Sequence, residues 1–211
     1  MDSARDSPHY FSAEPAGPEQ RRRLEVTLAG RSVTVETAPS IFSPDGVDKG
    51  TAAMLRTVPE PPSSGAFLDI GCGWGPLALT LGLLSPEAEI TAVEVNDRAA
   101  RLCRDNAARL ELRHISVQRP EEVPPERTFD LIWSNPPIRV GKEALHALLL
   151  TWLPRLVPGG EAYLVVQKNL GADSLLPWIE KALEERHPGA FTASRFGTEK
   201  GFRILRVQRT L

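Results

Sequence analysis

Two short segments near the start of the chain alternate apolar and polar residues, which is the pattern of a β-strand with one buried face. They are residues 24–28 (LEVTL) and 32–36 (SVTVE), and the tripeptide AGR lies between them. Glycine adopts a positive φ at no steric cost, so this tripeptide favours a tight turn. The pattern therefore predicts a β-hairpin, and residues 57–65 (TVPEPPSSG) predict a linker from it to the rest of the chain.

From residue 66 onward, short apolar runs alternate with longer segments that have the period of a helix. The apolar runs predict seven strands, at residues 66–70, 90–94, 114–118, 129–134, 161–167, 191–195 and 202–208. The longer segments predict helices at residues 76–84, 96–111, 141–156 and 174–186, the third of them stopped by the PGG sequence at 158–160. This alternation is typical of a mostly parallel α/β sheet with helices on both faces. The last two strands have no helix between them, so we expect an antiparallel pair at one edge.

The chain divides into three parts. Residues 1–20 are rich in Pro, Ser, Glu and Asp, which predicts a flexible lead-in. Residues 21–60 contain the hairpin and a cap segment, and residues 61–211 form the α/β domain. In such a domain ligands bind beyond the carboxyl ends of the strands, so the loops at that edge are the candidates for a site.

Composition and charge exclude several classes of function. The 211 residues are 41% hydrophobic with a formal net charge of −2, which excludes a polybasic protein that binds nucleic acid by bulk charge. The two cysteines form no CxxC pair, so neither a disulfide scaffold nor a bound metal is expected. No secretory signal or membrane-spanning stretch is visible, so we predict a cytoplasmic protein with no membrane partner.

The loop after the first strand of the α/β domain is rich in glycine. Residues 69–76 read DIGCGWGP, with glycines at positions 71, 73 and 75. Alternate glycines let the backbone turn tightly and approach a ligand without side-chain collision. A dinucleotide-binding fingerprint would have its third glycine one position later, where this chain has Pro76. The spacing, together with the acid Asp69, therefore favours a nucleoside that carries an amino-acid tail.

Glu94 ends the next strand, 19 residues after Gly75. A carboxylate there can accept hydrogen bonds from both ribose hydroxyls, and hydrogen bonds to a charged acceptor are strong. Dinucleotide enzymes place an acid similarly, so Glu94 alone does not distinguish the two kinds of cofactor.

The loop after the fourth strand contains Asn135, Pro136 and Pro137. Two consecutive prolines fix φ and lack N–H donors, so this loop presents carbonyl oxygens in a stiff frame. The side-chain oxygen of Asn135 and the carbonyl of Pro136 can each accept one proton of an –NH2 group. The nitrogen lone pair is then turned out of conjugation and toward an electrophile. The loop therefore predicts a site that holds a planar amine.

Three motifs together resemble those of class I S-adenosylmethionine-dependent methyltransferases: DIGCGWG at 69–75, VEVN at 93–96 and SNPPI at 134–138. More narrowly, the chain resembles the methyltransferase small domain family, which includes ribosomal RNA small-subunit guanine-N2 methyltransferases. The similarity extends from HYFS at 9–12 to GFR at 201–203. It implies a Rossmann-like α/β fold, with residues 61–211 as the methyltransferase domain, and S-adenosylmethionine as cofactor.

The resemblance also implies roles for individual residues. The cofactor would be held by Asp69, Gly71, Cys72, Gly73, Gly75, Glu94, Val95 and Asn135. The target amine would be held by the catalytic loop of Asn135, Pro136, Pro137 and Ile138. The family's FSxxxxDxGT segment, here residues 42–51, tends to lie over the active site. The secondary substrate candidates in this segment are therefore Phe42, Asp48 and Gly50. Many relatives have an acid for the adenine amino group where this chain reads QRPE at 118–121, so either Gln118 or Glu121 substitutes or the contact is absent.

The leading hypothesis is an N-methyltransferase for guanine N2 in ribosomal RNA, which makes RNA the expected partner. A protein glutamine-amide methyltransferase is an alternative, although those enzymes usually have Tyr where this chain has Ile138. Another alternative is an inactive cofactor-binding subunit that binds RNA. A nicotinamide oxidoreductase is the remaining class, and Pro76 counts against it because it replaces the third glycine of the dinucleotide fingerprint. The oligomeric state is not indicated.

An RNA substrate would require cations near the site to hold phosphates, and aromatic side chains on which a base can stack. The candidate aromatic residues are Phe42, Trp74 and Trp133, the last of which is more typical of a core. Arg139 and Lys142 follow the NPPI sequence directly and are substrate candidates for this reason. The other candidate cations are Arg21, Arg22, Arg23, Arg195, Lys200, Arg203, Arg206 and Arg209. Only a shared location would make these cations a binding surface, and the sequence does not indicate one.

Overall fold

A computed structural model describes residues 20–210 of the chain. The N-terminal hairpin consists of β1 (Arg22–Leu28) and β2 (Arg31–Thr37), and it is followed by helix α1 (Lys49–Thr57). The remaining strands are β3 (Ser64–Ile70), β4 (Glu87–Val93), β5 (Ile115–Gln118), β6 (Phe129–Ser134), β7 (Leu156–Gln167), β8 (Phe191–Glu199) and β9 (Phe202–Arg209). The remaining helices are α2 (Pro76–Leu84), α3 (Asp97–Arg109), α4 (Lys142–Trp152) and α5 (Ala172–Arg186). The motif at 9–12 and the predicted lead-in up to residue 19 lie outside the described residues.

Within the described range, strands β3 to β9 form one sheet of seven strands in the order β5-β4-β3-β6-β7-β9-β8. The strands from β5 to β7 pair in parallel, whereas β9 pairs antiparallel with both β7 and β8. The prediction of a mostly parallel sheet with an antiparallel C-terminal pair is confirmed. The chain order reverses between β3 and β6, and this switch point is where a ligand crevice is expected.

The sheet buries side chains on both faces, and the alternation along β6 shows how. Ile132 points into a core with α4 and α5, while Leu131 and Trp133 point into a core with α1, α2 and α3. Because side chains on a strand alternate with a period of two, each apolar strand serves both layers of helices. The result is the three-layer α/β arrangement that the sequence predicts.

The hairpin packs beside α2 and α3 through a third apolar cluster that contains Leu28, Val35 and Trp74. The buried side chain of Asn106, on α3, fixes this contact. It accepts a hydrogen bond from the N–H of Glu36 at 2.7 Å and donates to the carbonyls of Glu36 and Trp74 at 2.9 and 3.0 Å. The hairpin is therefore attached to the loop that follows β3.

Two predictions about local structure are wrong. The helix predicted at 141–156 ends at Trp152, because Pro154 has no N–H to continue the helical ladder, and Leu156 already pairs with Phe129 in the sheet. The PGG sequence at 158–160 is consequently part of β7, next to an irregularity in its register with β6. A Cβ on Gly160 would lie 2.9 Å from the carbonyl oxygen of Val157, so this strand needs glycine there.

Helix α1 was not predicted, since its Gly50 and its short length give little helical signal.

Among the described residues, no helix is long and apolar enough to cross a membrane, and no group of three or more His, Cys, Asp or Glu side chains is placed to hold a metal ion.

Candidate functional site

A cleft lies at the carboxyl ends of β3 and β6, at the switch point of the sheet. It is lined by Phe42, Ser43, Asp48, Thr51, Asp69, Gly71, Cys72, Gly73, Trp74, Pro76, Leu77 and Asn135. The cleft therefore brings together the glycine-rich loop, the NPP loop and the segment before α1, three regions that the sequence analysis singled out separately.

The glycine loop, residues 71–75, turns from β3 into α2. Gly71, Gly73 and Gly75 have φ values of 74°, 57° and 107°, a region that side chains rarely adopt. A Cβ on Gly71 or Gly73 would meet no atom within 4 Å, whereas one on Gly75 would lie 2.9 Å from the sulfur of Cys103. At Gly71 and Gly73 a ligand in the cleft can therefore approach the backbone closely. Gly75 instead faces the core at the start of α2.

Asp69 lies at the inner end of the cleft, on β3, and is 1% exposed. Its Oδ2 accepts a hydrogen bond of 2.9 Å from the N–H of Ala78 in the first turn of α2. Its Oδ1 is buried and finds no partner among the described residues. Burial, with a smaller contribution from the charge of Glu94, raises the pKa of Asp69 to about 8 despite the hydrogen bond from Ala78. Asp69 is among the residues that line the cleft, and a buried carboxyl oxygen without a partner suits a positively charged ligand group.

Glu94 follows β4, next to the glycine loop. Its two oxygens accept hydrogen bonds of 2.9 Å from the N–H groups of Gly73 and Asn96. Burial raises the pKa of Glu94, and the hydrogen bonds from the backbone oppose that effect. Each carboxylate oxygen has a second lone pair, so this arrangement is compatible with a ribose diol at the same carboxylate.

Val95 and Cys72 differ in what they expose. Val95, next to Glu94, is 43% exposed. This exposure is compatible with packing against a flat ligand ring such as adenine. The side chain of Cys72 is buried in the core against α2 and α3. Cys72 also lines the cleft, and its buried side chain leaves the backbone as the part that a ligand can reach. The neighbouring thiol of Cys103, together with burial, raises the pKa of the Cys72 thiol, which keeps it neutral.

The alternatives for the adenine contact stay open. Gln118 ends β5 and donates to Ser116, and neither Gln118 nor Glu121 lines the cleft. Arg119 forms ion pairs with Asp97 and Glu121.

The NPP loop, residues 135–138, contains a tight turn. The carbonyl of Pro136 accepts a hydrogen bond of 2.8 Å from the N–H of Ile138. Pro137 has φ −74° and ψ 78°, the angles of an inverse γ-turn. The turn fixes the direction of the Pro136 carbonyl and leaves its second lone pair for another donor. Ile138 is half-buried against the core with α4 and α5.

The side chain of Asn135 is held from one side. Its Nδ2 donates to Oδ2 of Asp48 at 2.8 Å and to Oγ1 of Thr51 at 3.1 Å. Its hydrogen bonds to the described residues all run through Nδ2, so the carboxamide oxygen stays available as an acceptor at the cleft. Thr51 is a site residue that the sequence does not predict, although the DxGT sequence of the family segment contains it. A hydroxyl close to an acid that can cap a helix is the feature that could have indicated it.

The secondary substrate candidates fall in different places. Phe42 is 53% exposed at the rim of the cleft. Gly50 lies in the first turn of α1, and its position is set by the ring of Phe202, which a Cβ would approach to 3.1 Å. Lys142 is exposed at the start of α4 and does not line the cleft, and the side chain of Arg139 lies outside the described part of the chain.

Two aromatic residues proposed for base stacking are part of the core. Trp74 and Trp133 are 1% and 2% exposed. Trp74 packs in the hairpin cluster and its Nε1 donates to the carbonyl of Ser43 at 3.1 Å, so it holds the segment before α1 against the glycine loop. Of the three aromatic candidates, Phe42 alone is exposed enough to contact a base.

The candidate cations do not share one location. Arg21, Arg22 and Arg23 lie at the start of the hairpin. They form ion pairs with Glu36 on β2, Asp105 on α3 and Asp45 in the segment before α1. Strand β9 carries Arg203 at the cleft edge and Arg209 at the opposite edge, as its register with β7 shows. Arg195 lies midway along β8, and Lys200, in the turn before β9, is at the cleft edge. Arg206 pairs with Tyr163 midway along β9, so these candidates do not form one basic surface at the cleft.

The chain matches the model of the methyltransferase small domain family over residues 32–196. It is 29% identical to the uncharacterized protein YbxB of Bacillus subtilis (strain 168) over 96% of this chain and 99% of that protein. It is 34% identical to ribosomal RNA small subunit methyltransferase C of Klebsiella pneumoniae over 84% of this chain and 51% of that protein, so it spans about half the length of that relative.

A solved structure has a similar fold. The 16S rRNA N2 G1207 methyltransferase RsmC of T. thermophilus, in complex with AdoMet and guanosine, has a TM-score of 0.70 and 26% sequence identity. The match covers 91% of this chain and 51% of that one. In the cleft of this chain, Gly71 and Gly73 have open space where a side chain would begin, and Asp69 has a buried oxygen without a partner. These features fit the nucleoside and the cationic tail of this cofactor. The chain belongs to the methyltransferase small domain family, whose methyl donor is S-adenosylmethionine.

Proposed function

We propose that this protein transfers a methyl group from S-adenosylmethionine to a planar exocyclic amine, with guanine N2 in ribosomal RNA as the target. One observation carries the proposal: Asn135 lies in the same cleft as the glycine loop, and its carboxamide is held through Nδ2 alone. An amine donor needs an acceptor at that place, and Oδ1 is one. The RNA target is supported by the relatives named as small-subunit rRNA methyltransferases and by the guanosine bound to RsmC.

The protein's own groups have distinct tasks in this reaction. Asp69 and the glycine loop would hold the amino-acid end of the cofactor, and Glu94 would hold its ribose. The Oδ1 of Asn135 and the carbonyl of Pro136 would each accept one proton of the target amine and set the direction of its lone pair. When bound, S-adenosylmethionine supplies a methyl group on a positively charged sulfur that leaves as a neutral thioether. The amine loses its proton to water once the new bond has formed, so no strongly basic side chain is required.

The substrate class is tested with labelled methyl donor. Total RNA and total protein from a strain that lacks this gene are incubated with the purified protein and S-adenosylmethionine carrying tritium in its methyl group. The labelled RNA is digested to nucleosides for mass spectrometry. We expect label in ribosomal RNA, recovered as N2-methylguanosine. Label in protein at glutamine would instead support the amide methyltransferase, and label in neither, despite measurable cofactor binding, would support the inactive RNA-binding subunit.

A further inference from the structure

Both oxygens of the Asp48 carboxylate accept hydrogen bonds from within the protein. As the N-cap of α1 it accepts hydrogen bonds from the N–H groups of Gly50 and Thr51 at 2.7 and 3.2 Å. It also accepts from the hydroxyl of Thr51 and, at 2.8 Å, from Nδ2 of Asn135. Asp48 is one of the predicted substrate residues, and it lines the cleft. Its hydrogen bond from Nδ2 also connects it to Asn135 in the same cleft.

A carboxylate accepts hydrogen bonds and, when ionised, donates none. Asp48 therefore distinguishes the two ends of the Asn135 carboxamide, because it pairs with the NH2 end and repels the oxygen. Without such a partner the two orientations of an asparagine amide differ little in energy. In the reversed orientation, the NH2 group of Asn135 would meet the NH2 group of the target, and neither could accept.

We infer that Asp48 is a positioning residue for methyl transfer: through Nδ2 of Asn135 it fixes the carboxamide with its oxygen toward the target amine. This inference rests on the proposed function, since it assigns the oxygen of Asn135 to an amine substrate. Thr51 supports the same orientation with its hydroxyl oxygen at 3.1 Å from Nδ2. The acid is held rigidly, because the first turn of α1 packs against the ring of Phe202 at Gly50.

The substitution Asp48→Asn separates orientation from folding. Asn96 shows how asparagine caps a helix in this chain, since its Oδ1 accepts from the N–H groups of Arg98 and Ala99 at 3.0 and 3.1 Å. These donors are two and three residues along the chain, as Gly50 and Thr51 are from position 48. An asparagine that caps α1 in this way turns its NH2 group toward Asn135. The carboxamide of Asn135 must then reverse and present its own NH2 group to the cleft.

Asp45→Asn is the matched control. Asp45 belongs to the same segment, and its substitution removes the same charge, but its side chain is 84% exposed and pairs with Arg22. The double variant Asp48→Asn/Asn135→Asp exchanges the pair. The new asparagine then donates to one oxygen of the new aspartate, and the other oxygen remains an acceptor for the target amine.

Steady-state kinetics with the RNA substrate and calorimetry with S-adenosylmethionine give the activity readout. We expect Asp48→Asn to lower kcat by about 100-fold with the cofactor Kd changed less than about two-fold, the effect of misplacing one preorganised polar group. The exchanged pair should recover at least about ten-fold of that loss, and Asp45→Asn should match the unmodified protein. A merely structural cap would not be restored by exchanging partners. Unchanged kcat in Asp48→Asn, in an enzyme that is otherwise active, would overturn the inference and leave the proposed function standing.

A second readout does not depend on activity. In 15N-labelled protein the side-chain NH2 signals of Asn135 are identified by their loss in Asn135→Asp. We expect nuclear Overhauser contacts from these protons to the methyl group of Thr51, and their disappearance in Asp48→Asn. Identical contacts in both proteins would overturn the inference even if no substrate is methylated, whereas contacts that change as expected in a protein without transferase activity would contradict the proposed function alone.

Discussion

Glu94 accepts a hydrogen bond of 2.9 Å from the backbone N–H of Gly73, so the carboxyl end of β4 holds the tip of the glycine loop. The other oxygen of this carboxylate binds the N–H of Asn96, the N-cap of α3. One side chain thus joins the loop after β3 to the helix after β4. The same carboxylate is the proposed ligand of the cofactor ribose, which makes loop shape and cofactor affinity depend on one residue.

Glu94→Ala should weaken cofactor binding. The variant loses the acceptor for the ribose and leaves the N–H of Gly73 without a protein partner. Since hydrogen bonds to a charged acceptor contribute about 1.5–3 kcal/mol each, we expect the Kd for S-adenosylmethionine to rise about 10–100-fold in calorimetry. The control is Asp97→Ala, which removes a nearby acid that pairs with Arg119. An unchanged Kd in Glu94→Ala would exclude this carboxylate as the ribose ligand.

Asp69 should make both stability and cofactor binding depend on pH. Its pKa is raised from 3.8 to about 8 by burial, so between these values the folded protein keeps a proton that the unfolded chain has lost. The contribution of Asp69 to the free energy of unfolding therefore falls as the pH rises through this window. A cationic ligand favours the ionised form, so cofactor binding at pH 7 should release a proton, and the affinity should increase up to about pH 8.

Calorimetry in buffers of different ionisation enthalpy measures the proton released on binding. Asp69→Asn keeps an acceptor for the N–H of Ala78 and removes the titrating group. We expect this variant to be at least as stable as the unmodified protein at pH 8, to bind S-adenosylmethionine more weakly, and to release no proton from this site. Equal proton release in both proteins would show that another group titrates.

Asn135→Ala should lower kcat far more than it weakens binding of S-adenosylmethionine. The variant loses the acceptor for the target amine, and we expect kcat to fall by about 10²–10³, as on removal of one preorganised polar group. The Kd of S-adenosylmethionine should change much less than kcat, because Asp69, Glu94 and the glycine loop remain in place, and calorimetry measures this difference. Near-normal turnover would remove Asn135 from the mechanism.

Much of the fold was predictable from the sequence because burial imposes it. A parallel strand covered on both faces is mostly apolar, and residues 129–134 match the observed β6 at both ends. The helix at 76–84 likewise has the predicted limits, since Pro76 suits a first turn and the glycine loop precedes it. The end of α4 was less predictable, because two signals competed and Pro154 took effect before the glycines at 159 and 160.

The candidate site was predictable as motifs and not as contacts. Asp48 and Asn135 are separated by 87 positions, and no local pattern indicates that one holds the other. Trp74 has the same difficulty, because its position between two glycines suggests exposure to the ligand. Its burial depends on the hairpin, which docks through Asn106 against the same loop. Contacts of this kind depend on how distant segments pack together, and the local sequence pattern of each segment does not indicate its packing partner.

Gly75→Ala should destabilise the protein through a contact behind the glycine loop. The position has a φ of 107°, and an added Cβ would lie 2.9 Å from the sulfur of Cys103. Gly30→Ala is the matched control, with a φ of 71° but no atom within 4 Å of the added Cβ. We expect the control to lower the free energy of unfolding by about 1 kcal/mol, from backbone strain, and Gly75→Ala to lower it by about 2–4 kcal/mol, because overpacking adds to the strain.

Denaturant unfolding of Gly75→Ala, Cys103→Ala and the double variant isolates the steric part of this effect. Removing the sulfur creates space where the new methyl group needs it, so the double variant should be more stable than the sum of the two single changes implies, by about 1–2 kcal/mol. Strain from the positive φ is unaffected by Cys103 and should persist in the double variant. Strict additivity would show that the loop moves away from Cys103 on substitution, and the cofactor Kd of Gly75→Ala should then rise, because Gly73 would move with it.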